Sequence, residues 1–362
     1  MGIWGKRDDM LVHARQPFNA EPSPAALAGA PTTPVDAFYS RNHGPVPDLD
    51  PAQWKLEVDG LVGTPLRMSL EELRESFDEV EVTVTLQCAG NRRAGLIAVR
   101  DIPGETPWGP GAISTARFRG ARLADVLARA GAEPRTAHIA FHAPDVSASA
   151  DPPQPYAGSI PLGKALAPEV LLAWTMNDVP LPRVHGAPLR AVVPGWIGAR
   201  SVKWLTRVTA RSTPSDGYFQ TSAYRLLPAG FHADRAAPGD GTELGPTGLN
   251  CDILSPDDGA RLPRGPVEII GYALAGEGRA VARVEVSPDG ARTWTRADVY
   301  GADGPWAWRH WRATVNLPAG EVEVVARAWD SAGASMPESP GPLWNPKGYA
   351  NNSWARVRLH RR

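Results

Sequence analysis

The chain has 362 residues, of which 38 are basic and 39 acidic, and its formal charge at pH 7 is -1. This length favours two domains over one, and the balanced charge, without long runs of one sign, argues against nucleic acid as a partner. The two cysteines, Cys88 and Cys251, are too few for a disulfide framework or an all-cysteine zinc site.

The N-terminal segment carries the prediction about location. Residues 1–24 lack the apolar stretch of a secretory signal, and no twin-arginine motif precedes such a stretch. No segment approaches the roughly 20 apolar residues that a membrane-spanning helix needs. We therefore expect a cytoplasmic protein without a membrane partner, or a periplasmic one if an export signal has been removed.

Up to about residue 248, short predicted strands alternate with short predicted helices. Residues 1–50 are Pro-rich and irregular. Ser69 and Glu72 form a capping box that predicts the start of a helix, and Gly131 stands where a helix should end. These signals predict a mixed α+β domain over residues 1–248, with strands at 54–60, 81–85, 189–194 and 202–208 and helices at 70–77 and 123–130.

From about residue 250 the sequence pattern changes and predicts short strands of alternating hydrophobicity joined by turns. Asp289 and Gly290 form a hairpin turn between predicted strands 282–286 and 293–296, and residues 321–329 alternate as another strand. This pattern predicts an immunoglobulin-like β-sandwich over residues 249–362. Residues 228–248, poor in large apolar side chains, are the predicted linker.

The segment Thr85-Leu-Gln-Cys88-Ala-Gly-Asn-Arg92-Arg93 is the sharpest candidate for chemistry. A strand delivers Cys88 to its end, and two guanidinium groups near a sulfur favour the thiolate, which ligates metals or attacks electrophiles. The glycine allows the backbone to approach a bulky group. A buried structural cysteine beside two surface arginines fits the same residues. Cys251 has no partner in the sequence pattern and is interpreted as structural.

This segment resembles the molybdenum-binding signature of the sulfite oxidase and plant-type nitrate reductase family. The likeness continues, in order, through residues 39–47, 111–117, 181–185 and 199–204. Residues 305–309 and 343–345 resemble the family's dimerisation domain. The resemblance implies a molybdopterin-binding catalytic domain with the sulfite-oxidase fold, a dimerising β-sandwich and a homodimer.

The resemblance also implies a cofactor site. The cofactor is molybdopterin carrying molybdenum, and Cys88 is the metal's protein ligand, as a soft thiolate suits a thiophilic metal. The pterin carries a phosphate, for which Arg, Lys and His are expected partners. The residues that match the family's pterin contacts are Tyr39, Ser40, Asn42, His43, Asp145, His185, Arg190, Ser201, Val202 and Lys203.

A cationic substrate pocket follows from the same resemblance. Arg41 and Arg93 match the family's anion-binding arginines, and Trp108 and Tyr224 match its aromatic and phenolic residues. Lys347 stands where sulfite oxidases have an arginine, so the charge is kept and the bidentate fork is lost. A weaker or altered preference for sulfite is the expected consequence.

The implied reaction is oxidation of sulfite to sulfate by oxygen-atom transfer. The sequence has no haem-attachment motif, no iron–sulfur cysteine set and no Gly-rich dinucleotide fingerprint. Electrons should therefore pass to an external acceptor, a cytochrome c or another small redox protein. The alternatives are reduction of nitrate or of an S- or N-oxide on the same cofactor, and a non-catalytic molybdopterin-binding scaffold.

Overall fold

The computed structural model describes residues 2–301 and 304–362 and shows a strand-rich α+β protein. The strands up to residue 248 are β1 (Leu11–Arg15), β2 (Phe18–Glu21), β3 (Leu56–Gly60), β4 (Leu66–Met68), β5 (Val80–Gln87), β6 (Ile113–Arg122), β7 (His138–Ser147), β8 (Gln154–Pro161), β9 (Leu171–Met176), β10 (Val179–Pro180), β11 (Arg190–Val192), β12 (Arg207–Arg211), β13 (Arg225–Leu226) and β14 (Thr242–Glu243). Those that follow are β15 (Asn250–Ser255), β16 (Arg261–Leu262), β17 (Val267–Leu274), β18 (Val281–Ser287), β19 (Thr295–Arg296), β20 (Asp298–Tyr300), β21 (Arg309–Val315), β22 (Gly320–Asp330) and β23 (Ala355–Arg361).

The helices are short. The α-helices are α1 (Pro24–Ala28), α2 (Leu70–Ser76), α3 (Arg93–Ile97), α4 (Leu123–Ala130), α5 (Leu162–Ala165) and α6 (Tyr218–Thr221). Single 3₁₀ turns lie at Ile3–Gly5, Arg183–His185, Gly198–Arg200, Ala233–Arg235 and Gly341–Leu343. Within the described ranges, no helix is long and apolar enough to cross a membrane.

Two five-stranded sheets build the first part of the molecule. One sheet has the order β10-β9-β6-β5, with β11 also paired to β9, and the other has the order β4-β3-β12-β7-β8. The second is antiparallel except for the parallel pair β3–β12. Helix α4 covers the core with Leu123, Val126, Leu127 and Ala130, whose spacing places them on one helical face.

The last third of the chain forms a β-sandwich. A four-stranded sheet (β15-β17-β21-β20) packs against a five-stranded sheet (β16-β23-β22-β18-β19). Alternate residues of the strands point inward, so Cys251, Ile253, Trp311, Val324 and Leu359 share one hydrophobic core. Cys251 is fully buried there, as a structural cysteine should be.

Most of the predicted elements are confirmed at the residues that carry their signals. Ser69 Oγ accepts from Glu72 N–H at 3.1 Å, and Glu72 accepts in return from Ser69 N–H at 2.6 Å, which completes the capping box of α2. Gly131 ends α4 with φ +68°. The strand predicted at 202–208 is wrong over residues 202–206, because Trp204 has φ +50° and β12 starts only at Arg207.

A segment near each end of the chain packs against the half of the molecule that the other end forms. Leu27 of α1, from the N-terminal region, packs in one cluster with Leu254, Tyr272 and Trp308 of the sandwich. In the other direction, residues 345–353 leave the sandwich and run along the segment that follows β5, where Ala350 N–H donates to Ala89 O at 2.8 Å. Residues distant in sequence therefore meet beside Cys88.

Candidate functional site

A pocket with a cavity volume of about 60 Å³, partly open to solvent, lies where several loops meet at the end of β5. The predicted residues in its walls are Tyr39, Ser40, Arg41, Asn42, His43, Cys88, Asp145, His185, Arg190, Ser201, Val202, Lys203 and Tyr224. The structure therefore brings all the predicted cofactor residues, with Arg41 and Tyr224, to one cavity.

Cys88 follows β5 directly and presents its sulfur to this pocket. Its N–H donates to Ala112 O at 2.9 Å, and its Sγ accepts from Gly90 N–H at 3.4 Å. Burial raises the pKa of the thiol, while the positive charges of Arg93 and Arg41 oppose the rise. Without metal the thiol form is favoured. A bound cation would shift the balance to the thiolate, because metal coordination deprotonates a thiol.

The expectation that Arg92 is one of the two guanidinium groups acting on this sulfur is wrong. Arg92 adopts a left-handed conformation with φ +63°, which turns its side chain toward the sandwich. There its Nε lies 2.6 Å from Asp252 Oδ2, and its Nη1 donates to Ser353 O at 2.7 Å. Arg41, which lies 47 positions before Cys88 in the sequence, takes the place of Arg92 beside the sulfur.

The segment that leads into the pocket from residue 39 is held by Asn42. The Asn42 N–H donates to Asn19 Oδ1 at 2.8 Å, and its side-chain amide donates to Phe18 O at 2.6 Å. Its Oδ1 accepts from Lys203 Nζ, which also donates to Arg41 O at 3.0 Å. Both atoms of the Asn42 amide are thus engaged by the protein, and they position its neighbours.

The opposite wall is built from two segments that run side by side. Ala191 N–H donates to Val202 O at 2.8 Å, and Leu205 N–H donates to Leu189 O at 2.9 Å. Arg190 fastens the pair by donating to His185 O at 3.0 Å and to Ser201 O at 3.1 Å. A Cβ on Gly198 would stand 2.7 Å from Tyr39 Oη and 3.2 Å from Gln87 O, so the glycine at this position lets the wall approach the segment at residue 39 closely.

Asp145 enters the pocket from the other sheet. The register of β7 against β8 shifts between His142 and Val146, and this irregularity places Asp145 in the wall. Burial raises the pKa of its carboxyl to about 7, although the charge of Lys203 opposes the shift. The pKa of Lys203 lies well below its usual value, mainly because of burial and then because of the nearby Arg190.

Lys6 is a buried polar residue beside the site, and its role was not predicted from the sequence. Its Nζ lies 2.6 Å from His185 Nε2 and donates to Val35 O at 2.6 Å and Phe38 O at 2.8 Å. Burial lowers the pKa of Lys6 to about 7. The same cause, followed by the charge of Lys6, holds the pKa of His185 well below its usual value. No local pattern around residue 6 distinguishes this lysine from one on the surface.

Arg93, Trp108 and Lys347 lie beside the pocket rather than in its walls. Arg93 is 3% exposed, and its guanidinium carbon stands 5.4 Å from the centre of the Tyr349 ring. Tyr349 in turn stacks on Tyr224 at 5.6 Å, which connects Arg93 to the pocket. Trp108 is fully buried in the hydrophobic cluster that contains Cys88, and its Nε1 has no partner within the described ranges.

Tyr224 is paired with His43 inside the pocket. The Tyr224 hydroxyl lies 2.5 Å from His43 Nε2. Burial raises the pKa of Tyr224 well above its usual value, and burial followed by the charges of Arg41 and Lys203 holds the pKa of His43 well below its own. Both groups are therefore neutral near pH 7, and they share one hydrogen bond whose direction depends on the tautomer of the imidazole.

The polar atoms of the pocket show what kind of group it fits. Ser40 Oγ, Asp145 Oδ1 and Arg190 Nε are buried, and none has a hydrogen-bond partner among the residues that the structure describes. Buried polar atoms are normally paired, so these await a ligand with donors and acceptors of its own. Three basic side chains (Arg41, Arg190 and Lys203) line the pocket with a single carboxylate, which favours an anion. A molybdopterin with its phosphate, held through molybdenum by the Cys88 thiolate, fits these residues.

Comparisons with known proteins agree with this reading. Residues 43–219 match the family described as oxidoreductase molybdopterin binding domain, and residues 247–362 match the Mo-co oxidoreductase dimerisation domain. The chain is similar to sulfite oxidase of Gallus gallus, with 43% identity over 96% of this chain and 77% of that protein. It is also similar to the mitochondrial sulfite oxidase of Rattus norvegicus, with 42% identity over 97% of this chain and 65% of that protein.

A solved structure supports the same assignment at the level of the fold. The sulfane dehydrogenase SoxCD from Paracoccus pantotrophus superposes with a TM-score of 0.81 and 27% identity, over 97% of this chain and 86% of that chain. The chain spans about two thirds of the length of its mammalian relatives, so it corresponds to part of those proteins. The chain belongs to the sulfite oxidase family of molybdopterin-dependent oxidoreductases.

Proposed function

We propose that the protein oxidises sulfite to sulfate by oxygen-atom transfer on a molybdenum cofactor and passes the electrons to an acceptor outside residues 1–362. The observation that carries this proposal is the meeting of Cys88 with Arg41, Arg190 and Lys203 in one pocket that has a single carboxylate, Asp145. The identity to sulfite oxidases over nearly the whole chain supports sulfite as the substrate. When bound, the cofactor supplies the oxygen-atom transfer and accepts two electrons.

The protein's part in this chemistry is to hold the cofactor. Cys88 would ligate the metal, and its position at the end of β5 is rigid because its own N–H is bonded to Ala112. Arg190, His185 and the backbone at 201–203 would bind the pterin and its phosphate, since guanidinium and N–H groups suit phosphate oxygens. Lys203 and Asn42 fix the spacing between the two walls.

The second task is to hold the substrate anion. Arg41 and Arg93 lie near the Cys88 sulfur, and the Nε of Arg93 donates to the backbone carbonyl of Lys347. These cations can neutralise an incoming oxyanion and orient it, an effect of position and charge. Tyr224 stands next to them with its hydroxyl hydrogen-bonded to His43, so its oxygen is fixed in place.

Kinetics on two substrates with one preparation test this proposal. We expect the purified, molybdenum-loaded protein to reduce ferricyanide when sulfite is added and to be far slower in viologen-driven nitrate reduction. The reverse ratio would favour the nitrate reductase alternative. Molybdenum well below one atom per chain, after expression in a host that makes the cofactor, would favour the scaffold.

The ligand role of Cys88 has a matched control in this chain. Cys88→Ser should abolish turnover and remove the metal–sulfur signature from the X-ray absorption spectrum. Cys251→Ser should preserve both, because Cys251 lies in the sandwich core. Retained turnover in Cys88→Ser would rule out this cysteine as the metal ligand.

We also propose the assembly and the domain limits. The proposed domains are residues 1–248 and 249–362, and the second is proposed to be an immunoglobulin-like sandwich through which a homodimer forms. The match of residues 247–362 to a dimerisation domain supports this proposal. Sedimentation equilibrium tests the dimer, with a monomer at micromolar concentration as the contrary result. The external acceptor, for example a cytochrome c, and the cytoplasmic location stay predictions. Reduction of candidate acceptors by sulfite-loaded enzyme tests the former.

A further inference from the structure

Glu105 places a carboxylate between two cations of the proposed substrate site. It lies in the loop between α3 and β6, and its Oε2 is 3.3 Å from Arg93 Nη2 while its Oε1 is 3.5 Å from Lys347 Nζ. The side chain is 19% exposed. It is therefore accessible from solvent and still close enough to act on both cations.

The other nitrogen atoms of Arg93 are already committed to the backbone. Its Nε donates to Lys347 O at 3.0 Å and to Gly348 O at 3.2 Å, and its Nη1 donates to Thr106 O at 2.9 Å. Nη2 is thus the edge of the guanidinium that is left for an oxyanion. Glu105 faces that edge.

Lys347 shows the same competition. Its side chain is 25% exposed, and within the described ranges its ion pair is with Glu105. An external oxyanion bridging Arg93 Nη2 and Lys347 Nζ would need the space that the carboxylate oxygens now occupy.

We propose that Glu105 is an internal counterion that competes with the substrate oxyanion for Arg93 and Lys347, and so sets the affinity and charge selectivity of the site. This inference rests on the proposed function, because it assigns the two cations to anion binding. A carboxylate repels a dianion more than a monoanion. Glu105 therefore weakens the binding of sulfate, the dianionic product, most strongly.

If Glu105 had a purely structural role, a neutral replacement would change the anion affinity in the opposite direction. If the carboxylate only oriented Arg93, a neutral replacement would loosen the guanidinium and weaken every anion. If it competes, the same replacement strengthens anion binding. Glu105→Gln keeps the shape of the side chain and removes its charge, so the direction of the change separates the two roles.

The test is sulfate binding to the full-length holoenzyme by titration calorimetry at low ionic strength. We expect Glu105→Gln to bind sulfate about ten-fold more tightly than wild type, which corresponds to about 1.4 kcal/mol. Glu105→Ala is a second neutral variant that should change affinity in the same direction. Asp101→Asn, an equal charge change in the same exposed loop, should leave the affinity close to wild type. Unchanged or weaker binding in the neutral variants would overturn the proposal.

Kinetics add a readout that a structural role would not produce. Glu105→Gln should lower KM for sulfite and lower the inhibition constant for sulfate without raising kcat, and both effects should shrink at high salt. If Glu105→Gln binds sulfate more tightly but the wild type does not turn over sulfite, the proposed function is wrong and the competing role of Glu105 is retained. Sulfite turnover in wild type with unchanged sulfate affinity in Glu105→Gln would remove the competing role alone.

Discussion

Replacement of Arg92 with alanine is expected to destabilise the folded protein by about 3–5 kcal/mol, the range for breaking a buried ion pair. The Arg92 side chain is buried where the segment after β5 meets the sandwich. Its Nε lies 2.6 Å from Asp252 Oδ2, and its other nitrogens donate to Asn250 Oδ1 at 3.2 Å, Ser353 O at 2.7 Å and Trp354 O at 3.2 Å. One side chain thus bonds two separate segments of the sandwich.

The size of the expected stability loss follows from the buried groups that the Arg92→Ala substitution leaves without a partner. Asp252 is 8% exposed and would lose its counter-charge, and each unpaired buried acceptor costs about 1–3 kcal/mol. These costs belong to one network and are not additive, so the buried-pair range is the better bound. Burial already raises the pKa of Asp252, and Arg92 opposes that rise. Without Arg92 the carboxyl can take up a proton, so the deficit should shrink as the pH falls from about 7 to about 5.

Urea unfolding followed by tryptophan fluorescence is the assay. Arg92→Ala, Asp252→Asn and the double variant form a cycle in which the double variant should lose less than the sum of the single losses. The KM for sulfite should stay near the wild-type value in Arg92→Ala, because this side chain points away from the pocket. A loss below about 1 kcal/mol, typical of an exposed pair, would refute the reasoning.

Two further predictions concern lysines at opposite ends of the chain. Lys347→Arg should lower KM for sulfite, because a guanidinium can bind an oxyanion through two hydrogen bonds, and the decrease should be larger in a Glu105→Gln background. An increase in both backgrounds would show that residue 347 does not face the anion. In the folded protein Lys6 has a pKa of about 7, whereas its ordinary value is 10.5. Between these two pH values the unfolded state binds more protons than the folded state, so the free energy of unfolding rises with pH. Lys6→Met should flatten the increase in unfolding temperature between about pH 7 and about pH 9.5, whereas an unchanged slope would assign it to other groups.

The parts of the fold that could be predicted from sequence depend on short-range signals. The capping box at Ser69 and Glu72 and the glycine at 131 fix helix ends through bonds only three or four residues apart. The strand at residues 202–208 failed because the alternation of its side chains says nothing about the left-handed conformation of Trp204, which tertiary contacts impose.

The candidate site could be predicted only as far as a known family motif reached. Cys88 and the cofactor residues were found because each resembles a family segment, and they converge on one pocket. Lys6 and Glu105 lie outside those segments, and their importance comes from partners far away in sequence. Lys6 reaches His185 across 179 positions, a separation at which no local pattern operates.

The pair Arg92 and Arg93 shows why adjacency in sequence is a weak guide to function here. The left-handed turn at Arg92 directs the two side chains to different places, one to Asp252 of the sandwich and the other to Glu105 at the proposed anion site. Arg93 still depends on the sandwich, because its Nε takes both of its carbonyl partners from Lys347 and Gly348. The segment that carries Lys347 is tied down by the same docking, through Ala350 and Asn351. The proposed substrate site is therefore assembled only when the β-sandwich is in place, which would give that unit a role in catalysis besides the proposed role in dimerisation.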